Sequence, residues 1–528
     1  MVTLSADRNH RRGEGRTRGH GSALAAALCL LALPTIGAAA QDVAEPSPGE
    51  MLFTDEVGNA VSTPTSGVAA GLRPATALGL KYQTPATHKG VTVPSQTLQK
   101  LRSIWEGLPE FELFPAAPPR LMPYLYESDA QGNTAAAPGS LLGVAPFVPE
   151  VQQAKYWLSG YGLRYKLEQT FSYAGMTDVA KGESDLVKYN LDLPLKWTVF
   201  DARSAGTAGW LSAQIEFQGA MGTPGSTQTA KTNLDTLTNP TGIWSTHSSF
   251  RVPELAWQQS FDAGHFVLLA GVMNQANYLD ANGYANDGRG QFINSALINS
   301  MVLPLPAYNY GVNLQWQPGS DWYTMLGYSV GNAGAGENPG TNFSWANWSL
   351  EWEVGYAPAD VFGLGPGVYR VQPFVGRSSS AEQANGEADG RRAAGSIHGG
   401  VGFNLQQRLG PSSPFGWFGR FGFGNSQVSG GAKTQAGTGF VMQAPLHYAG
   451  WAPQLTNDLL GAGFVWSQPS ATIRTVYHEN EYVFETFYTL QLAATARLQP
   501  DLQIVWNPAF NPDPGPVVVF QFQFLLKW

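Results

Sequence analysis

The stretch SDLVKYNLDLPLKWTVF, residues 184–200, alternates apolar and polar side chains without a break. Val187, Tyr189, Leu191, Leu193, Leu195, Trp197 and Val199 fall on one face of a strand; Lys188, Asn190, Asp192, Pro194, Lys196 and Thr198 fall on the other. A period of two puts successive side chains on opposite faces. Alternation this long, with charges on one face, demands a different solvent on each side. LRYKLEQTFSY repeats the pattern, with Leu163, Tyr165, Leu167 and Phe171 opposite Arg164, Lys166, Glu168 and Thr170. So does WSLEWEVGY, in which Trp348, Leu350, Trp352, Val354 and Tyr356 oppose Ser349, Glu351 and Glu353.

Further segments of this kind begin near Leu121, Leu211, Glu254, Phe266, Asn309, Trp322, Val368, Ile397, Trp417, Gln435, Leu459, Glu485, Leu502 and Val517. With the first three they make seventeen. A closed bacterial barrel has an even number, so one assignment must fail; those near Leu121 and Gln435 are weakest. Tight turns are expected at QPGSD (317–321) and QPD (499–501), and long polar loops at 223–242 and 378–395. Short turns on one rim and long loops on the other fit a transmembrane antiparallel β-barrel. A soluble β-sandwich also alternates, around a core about 10 Å thick. Aromatics gathered at strand ends favour the barrel, as does an export signal.

That signal occupies residues 1–40. Arg8, Arg11, Arg12, Arg16 and Arg18 precede an apolar run from Ala23 to Gly37, and Ala38–Ala40 supply small residues for cleavage before Gln41. The only cysteine, Cys29, lies inside it, so a mature chain has no disulfide, zinc-thiolate or cysteine nucleophile. The segment carries five Arg against Asp7 and Glu14, so its removal takes the net charge from −8 to −11. Acidic balance disfavours a nucleic-acid partner, which needs a basic stripe. Charged residues are only 13% of the chain, beside 61 Gly and 16 Trp. That mix suits a turn-rich β protein with an apolar exterior. Residues 41–117 form a separate Pro/Gly-rich lead-in, with a short amphipathic helix near 95–108 carrying Leu98, Leu101 and Trp105 on one side.

The barrel, residues 118–528, resembles the carbohydrate-selective porins (the OprB type) of Gram-negative outer membranes. The resemblance rests on Trp257–Gln259 ending one strand, Gly271 in the next, and the loop element Phe292–Ser295. YGVNLQWQP followed by WYTMLGYSVGNA looks like the family's next hairpin. ENEYVFETFYTLQLAATARLQPDLQIVWNP is similar to its closing strands, with a turn expected at Pro500–Gln503. The resemblance covers roughly residues 120–528 and implies sixteen strands and passive sugar uptake. It allows a monomer or a homotrimer.

A porin needs a wet polar passage and no cofactor. Pointing the apolar faces to outer-membrane lipid sends Arg164, Lys166, Glu168, Lys188, Asp192, Lys196, Glu351 and Glu353 into the lumen. Arg420, Gln491, Thr495 and Arg497 join them from later strands, with 487–498 read as one strand. Mixed charges suit small neutral sugars, whose hydroxyls both donate and accept. A general porin, a barrel hydrolase and an adhesive barrel are the alternatives. The six mature histidines (His88, His247, His265, His398, His447 and His478) sit in no nucleophile or metal motif, and there is no HExxH or P-loop. The final strand, VVVFQFQFLLKW, is expected to close the barrel. Its ending on Trp528 resembles the tag read by the barrel assembly machinery.

Overall fold

The computed structural model describes residues 161–527, apart from 203–205, 222–228, 243–248, 263–264, 306–308, 320, 331–344, 346, 378–396, 411–412, 426–430, 471–478, 494 and 514, together with Leu141 and Leu158. The signal, the lead-in helix near 95–108, the segment near Leu121, the loop at 378–395 and Trp528 lie outside the described residues.

One sheet accounts for nearly all of the rest. It begins with β1 (Leu163–Tyr165), β2 (Glu168–Met176), β3 (Asp185–Ala202) and β4 (Thr207–Ala220). It continues through β5 (Ser249–Phe261), β6 (Phe266–Met273), β7 (Asn309–Trp316), β8 (Trp322–Val330) and β9 (Trp348–Tyr356). Next come β10 (Gly367–Arg377), β11 (Ile397–Arg408), β12 (Phe415–Gly424), β13 (Ala432–Gln443) and β14 (Leu459–Pro469). β15 (Glu481–Ala493), β16 (Ala496–Trp506) and β17 (Val517–Lys527) complete it. Each strand from β2 onward pairs antiparallel with the next, and β17 pairs back onto β2 from Val519↔Met176 to Lys527↔Glu168. β1 and β2 meet β3 in a single register, Leu163↔Trp197 and Glu168↔Asp192, bridged by a bond from Lys166 N to Pro194 O of 3.1 Å. They are one strand interrupted at Lys166–Leu167, so the closed barrel has sixteen strands.

Closure gives every strand from β2 to β17 a partner on each side, so no free sheet edge remains among them. The segment at Gln435 is a true strand, β13. The expected turn at 499–501 is a correction: β16 runs straight through Gln499, Pro500 and Asp501, and the chain reverses between Ala493 and Ala496. Proline lacks an N–H, and the β15–β16 pairing is interrupted between Phe487↔Asp501 and Leu490↔Leu498, where Pro500 sits. The reversal between Ala493 and Ala496 preserves parity, so Gln491 and Arg497 both still face inward.

The outward face is apolar: Phe520, Phe522 and Phe524 on β17, Trp197 and Val199 on β3, and Leu314 and Trp316 on β7 are all exposed. Aromatics pair across strands at both rims. Phe266 stacks on Trp316 at 5.8 Å and Trp322 meets Tyr356 at 4.6 Å beside the shorter connections. Phe217 meets Phe250 at 4.9 Å at the opposite end. The inward face is not uniformly polar. Phe418, Val465, Val483, Phe487, Val505 and Val519 point inward, buried in an apolar core inside the barrel. Two connections from the long-loop rim add Ala230, Leu234, Ala285, Phe292, Ala296 and Leu297 to that core.

Candidate functional site

The first inserted connection is described from 229 to 242. It opens with α1 (Ala230–Leu234), capped by the Thr229 hydroxyl accepting from Thr232 N. The second, 274–305, holds a 3-10 turn at Gln275–Asn277 and then α2 (Ser295–Ile298), capped by Asn294. Short irregular segments inside a barrel must have their backbone groups answered. Here the wall answers them with side-chain oxygens. Glu481 on β15 accepts from Leu237 N (2.7 Å), Thr238 N (2.9 Å), the Thr238 hydroxyl (2.6 Å) and Ala509 N (3.1 Å). Glu485, two inward positions along, accepts from Ile293 N and from Asn294 N. Glu353 takes Asp280 N at 3.0 Å, Gln406 takes Gly283 N at 2.8 Å, and Gln435 takes Met301 N at 2.6 Å. Apolar contacts add to this grip: Phe292 meets Phe418 at 5.2 Å and Phe487 at 4.9 Å, both edge-on. The 274–305 segment therefore reaches the inner wall from β2 to β16.

Its middle carries the main charged group. Arg289 Nη1 lies 2.6 Å from Asp192 and 3.4 Å from Glu168, and its Nη2 lies 3.6 Å from Glu216. Burial works to lower the Arg289 pKa, but Asp192, Glu168 and Glu216 outweigh it and hold the pKa above its ordinary value. The guanidinium is a fixed positive charge. Around it Lys166 reaches Glu168 at 2.6 Å, Lys527 reaches Glu168 at 3.3 Å, and Arg251 reaches Glu216 at 2.9 Å. Lys196 sits 5.0 Å over the Trp210 ring. Tyr278, also from the inserted segment, donates to Glu254 at 2.7 Å; burial and that carboxylate push its phenol well above the usual range, so it stays a donor. Side-chain exposures of 25% at Lys166 and 21% at Arg289 mark where this cluster meets water.

The residues expected in the lumen fall into three places. Arg164, Lys166, Glu168, Asp192 and Lys196 share the inner wall of β1–β3, around or beside Arg289, and Lys188 is buried further along β3. Glu353 and Arg420 are wholly buried under the inserted segment: Arg420 holds Asp280 Oδ1 at 3.2 Å, and Glu353 pairs with Arg370 and takes the Tyr323 hydroxyl. They grip the chain itself, and Glu351 lies beside them. Gln491 and Arg497 form a third site near the β15–β16 turn, Arg497 Nε donating to Gln491 Oε1 at 2.7 Å. Periodicity gave no sign of Arg289 or Asp280, which lie outside strands. Glu216, Glu254 and Arg370 were within its reach, at inward positions of β4, β5 and β10; Arg251 was not, because it lies three residues from Glu254 and a register shift in the β4–β5 pairing brings both inward. Phe292–Ser295 carried the other available signal, because it is the stretch that docks on Glu485, Phe418 and Phe487.

Comparison with known proteins adds a family and a fold. The profile described as carbohydrate-selective porin, OprB family, matches residues 201–527. The high-pH structure of Pseudomonas putida OprB superposes with a TM-score of 0.57 at 12% identity, covering 75% of this chain and 100% of that one. The low-pH structure of the same protein gives 0.44 at 12% identity over 72% and 98%. An uncharacterized protein of Aquifex aeolicus (strain VF5) is 33% identical over 63 residues, 12% of this chain; the match spans 20% of that relative's length.

Proposed function

The chain belongs to the carbohydrate-selective porin OprB family, and on that footing we propose that it is a passive channel of the Gram-negative outer membrane that admits small neutral sugars such as glucose and disaccharides. The observation that carries this reading is the 274–305 segment held across the lumen, bringing Arg289 against Asp192, Glu168 and Glu216. A segment so placed narrows the passage and lines it with charges of both signs. Arg289, Lys166, Lys527 and Arg251 stand against three carboxylates, so the lining is strongly polar but close to balanced. A neutral polyol can exchange its water shell for such donors and acceptors, while an ion of either sign meets groups that repel it. Binding stays weak because most of the charges already satisfy one another, and weak binding lets solute leave.

The apolar outer face with aromatics at both rims suits a bilayer with two interfaces. The rim with shorter connections then faces the periplasm. Residues 1–40 direct export, and the last strand engages the assembly machinery. Liposomes carrying the purified chain test the reading. Swelling in glucose and disaccharides, with little in anions of similar size, supports it; equal entry of all small solutes makes it a general porin, and no flux refutes a channel.

A further inference from the structure

Three neighbouring connections on the rim with the shorter connections carry apolar side chains that stand exposed. They run at 357–366 between β9 and β10, at 409–414 between β11 and β12, and at 444–458 between β13 and β14. β10 pairs with β11 and β12 with β13, so the three lie side by side. Gly410 N donates to Leu364 O at 2.7 Å and Gln443 N to Pro414 O at 2.9 Å, which ties them together. Phe362 is 98% exposed and Trp451 81%, with Leu364, Leu409 and Tyr448 exposed on the same connections. Phe362 also takes the left-handed backbone conformation (φ 54°), which a bulky residue adopts at a cost. Asp360 holds that turn, its oxygens accepting from Gly363 N at 2.9 Å and Gly365 N at 2.7 Å. Tyr448 ends a short helix, α3 (Pro445–Tyr448), just before Trp451. Among the described residues, a Cβ added at Gly363 or Gly450 would meet nothing within 4 Å, so both tips stand clear.

The chain ahead of the barrel arrives at the same place. Leu141 N donates to Gln491 O at 2.8 Å, and Gln491 N donates to Asp458 Oδ1 at 2.9 Å, at the end of the 444–458 connection. Gly162 O accepts from Thr198 N at 2.8 Å, near the Ala202 end of β3 on the same rim. The lead-in therefore runs up to this rim. Its stretch SQTLQKLRSIWEGL, residues 95–108, sets Leu98, Leu101, Trp105 and Leu108 at helical spacing, with Gln99, Lys100 and Arg102 off that face. An isolated helix this short is marginal in water, so such a face needs a surface. Roughly 35 residues separate Trp105 from Leu141, about 120 Å of chain when extended, which is ample reach.

We propose that the lead-in helix docks across these three connections, laying Leu98, Leu101, Trp105 and Leu108 on Phe362, Tyr448 and Trp451. The dimensions match. Successive connections are two strands apart, about 10 Å, so the first and last are about 20 Å apart. A helix over 95–108 is about 21 Å long. The bilayer is a poorer occupant. The outward face already carries interface rings at this rim, Phe266 on Trp316 and Trp322 on Tyr356, and those lie on strands. Phe362 and Trp451 project from connections instead. The docking goes beyond the sugar-channel reading and needs no flux through the lumen.

Disulfide trapping in the full chain is the test, and it reads cleanly because the only cysteine, Cys29, lies in the signal. Leu98→Cys or Trp105→Cys, the two ends of the apolar face, should trap Trp451→Cys within one chain, which requires Cα atoms within about 7 Å. Neither should trap His265→Cys, which is exposed on the same rim in the β5–β6 connection, eight strands away in the sheet order. Trypsin supplies the second arm. It should cut slowly after Lys100 and Arg102 in the unmodified chain, and Phe362→Ser with Trp451→Ser should speed that cut about tenfold or more, the factor that burying one such ring is worth. Both replaced rings are exposed, so heat-modifiable migration should stay that of a folded barrel. No disulfide to Trp451→Cys, equal trapping of His265→Cys, or an unchanged cutting rate overturns the docking. Disulfides formed only between two chains assign the patch to a second copy, and protection that appears only in lipid vesicles assigns it to the bilayer; either result also overturns it.

Discussion

Arg289 shows how one side chain sets the character of a passage. It comes from a connection, yet it is the common partner of carboxylates on three strands. Replacing it with Gln leaves Glu168, Asp192 and Glu216 facing one another with one cation fewer. Four cations against three carboxylates become three against three, so ion preference should move toward cations, read as a shifted reversal potential in a salt gradient, while heat-modifiable migration stays that of a folded barrel. Arg164 and Arg497 sit in different places, one on the β1–β3 wall and one beside the β15–β16 turn. Arg164→Ala and Arg497→Ala should each change sugar flux without unfolding the barrel; unchanged conductance and selectivity in both would make them wall decoration.

Among the elements, the inserted segment is held by a few acceptors and one aromatic cluster. Glu481→Ala would leave buried donors of Leu237, Thr238 and Ala509 unanswered, at about 1–3 kcal/mol each. Phe292→Ala would open a cavity against Phe418 and Phe487, costing about 3–5 kcal/mol. Both variants should free their connection from the wall before the barrel itself fails. The measurement is single-channel conductance, expected to rise and fluctuate, with poorer discrimination between sugars and anions in swelling assays.

This is also where the sequence stops being legible. The strands and the inward parity of Glu168, Lys188, Asp192, Lys196, Glu351 and Glu353 were readable because a period of two records which solvent each face meets, and even the weakly patterned segment at Gln435 is a strand. The role of inward residues was not. Phe418, Val483 and Phe487 break the polar-inside rule because a connection packs on them, and Glu353 and Arg420 are buried for the same reason. Pro500 misled for a local cause: proline suggests a turn, but a strand can carry it where a ladder bond is missing.

At the scale of the whole molecule, the decisive contact is β17 on β2, joining the last described strand to the first along nine paired positions from Val519↔Met176 to Lys527↔Glu168. Deleting Phe524–Trp528 would unpair that seam where Lys527 also meets Glu168. The truncated chain should fail to assemble, seen as loss of the heat-modifiable folded band and accumulation before insertion. Normal insertion with altered selectivity would show that the ending serves the lumen instead. The central claim is that neutral sugar enters and briefly occupies this narrowed lumen, and ion current through single channels in a planar bilayer tests it most directly. Glucose or a disaccharide added to the bath should reduce the current in a saturating, concentration-dependent way beyond the change in bulk conductivity, and Arg289→Gln should shift the concentration needed. A current that follows bulk conductivity alone at every sugar concentration would contradict the account.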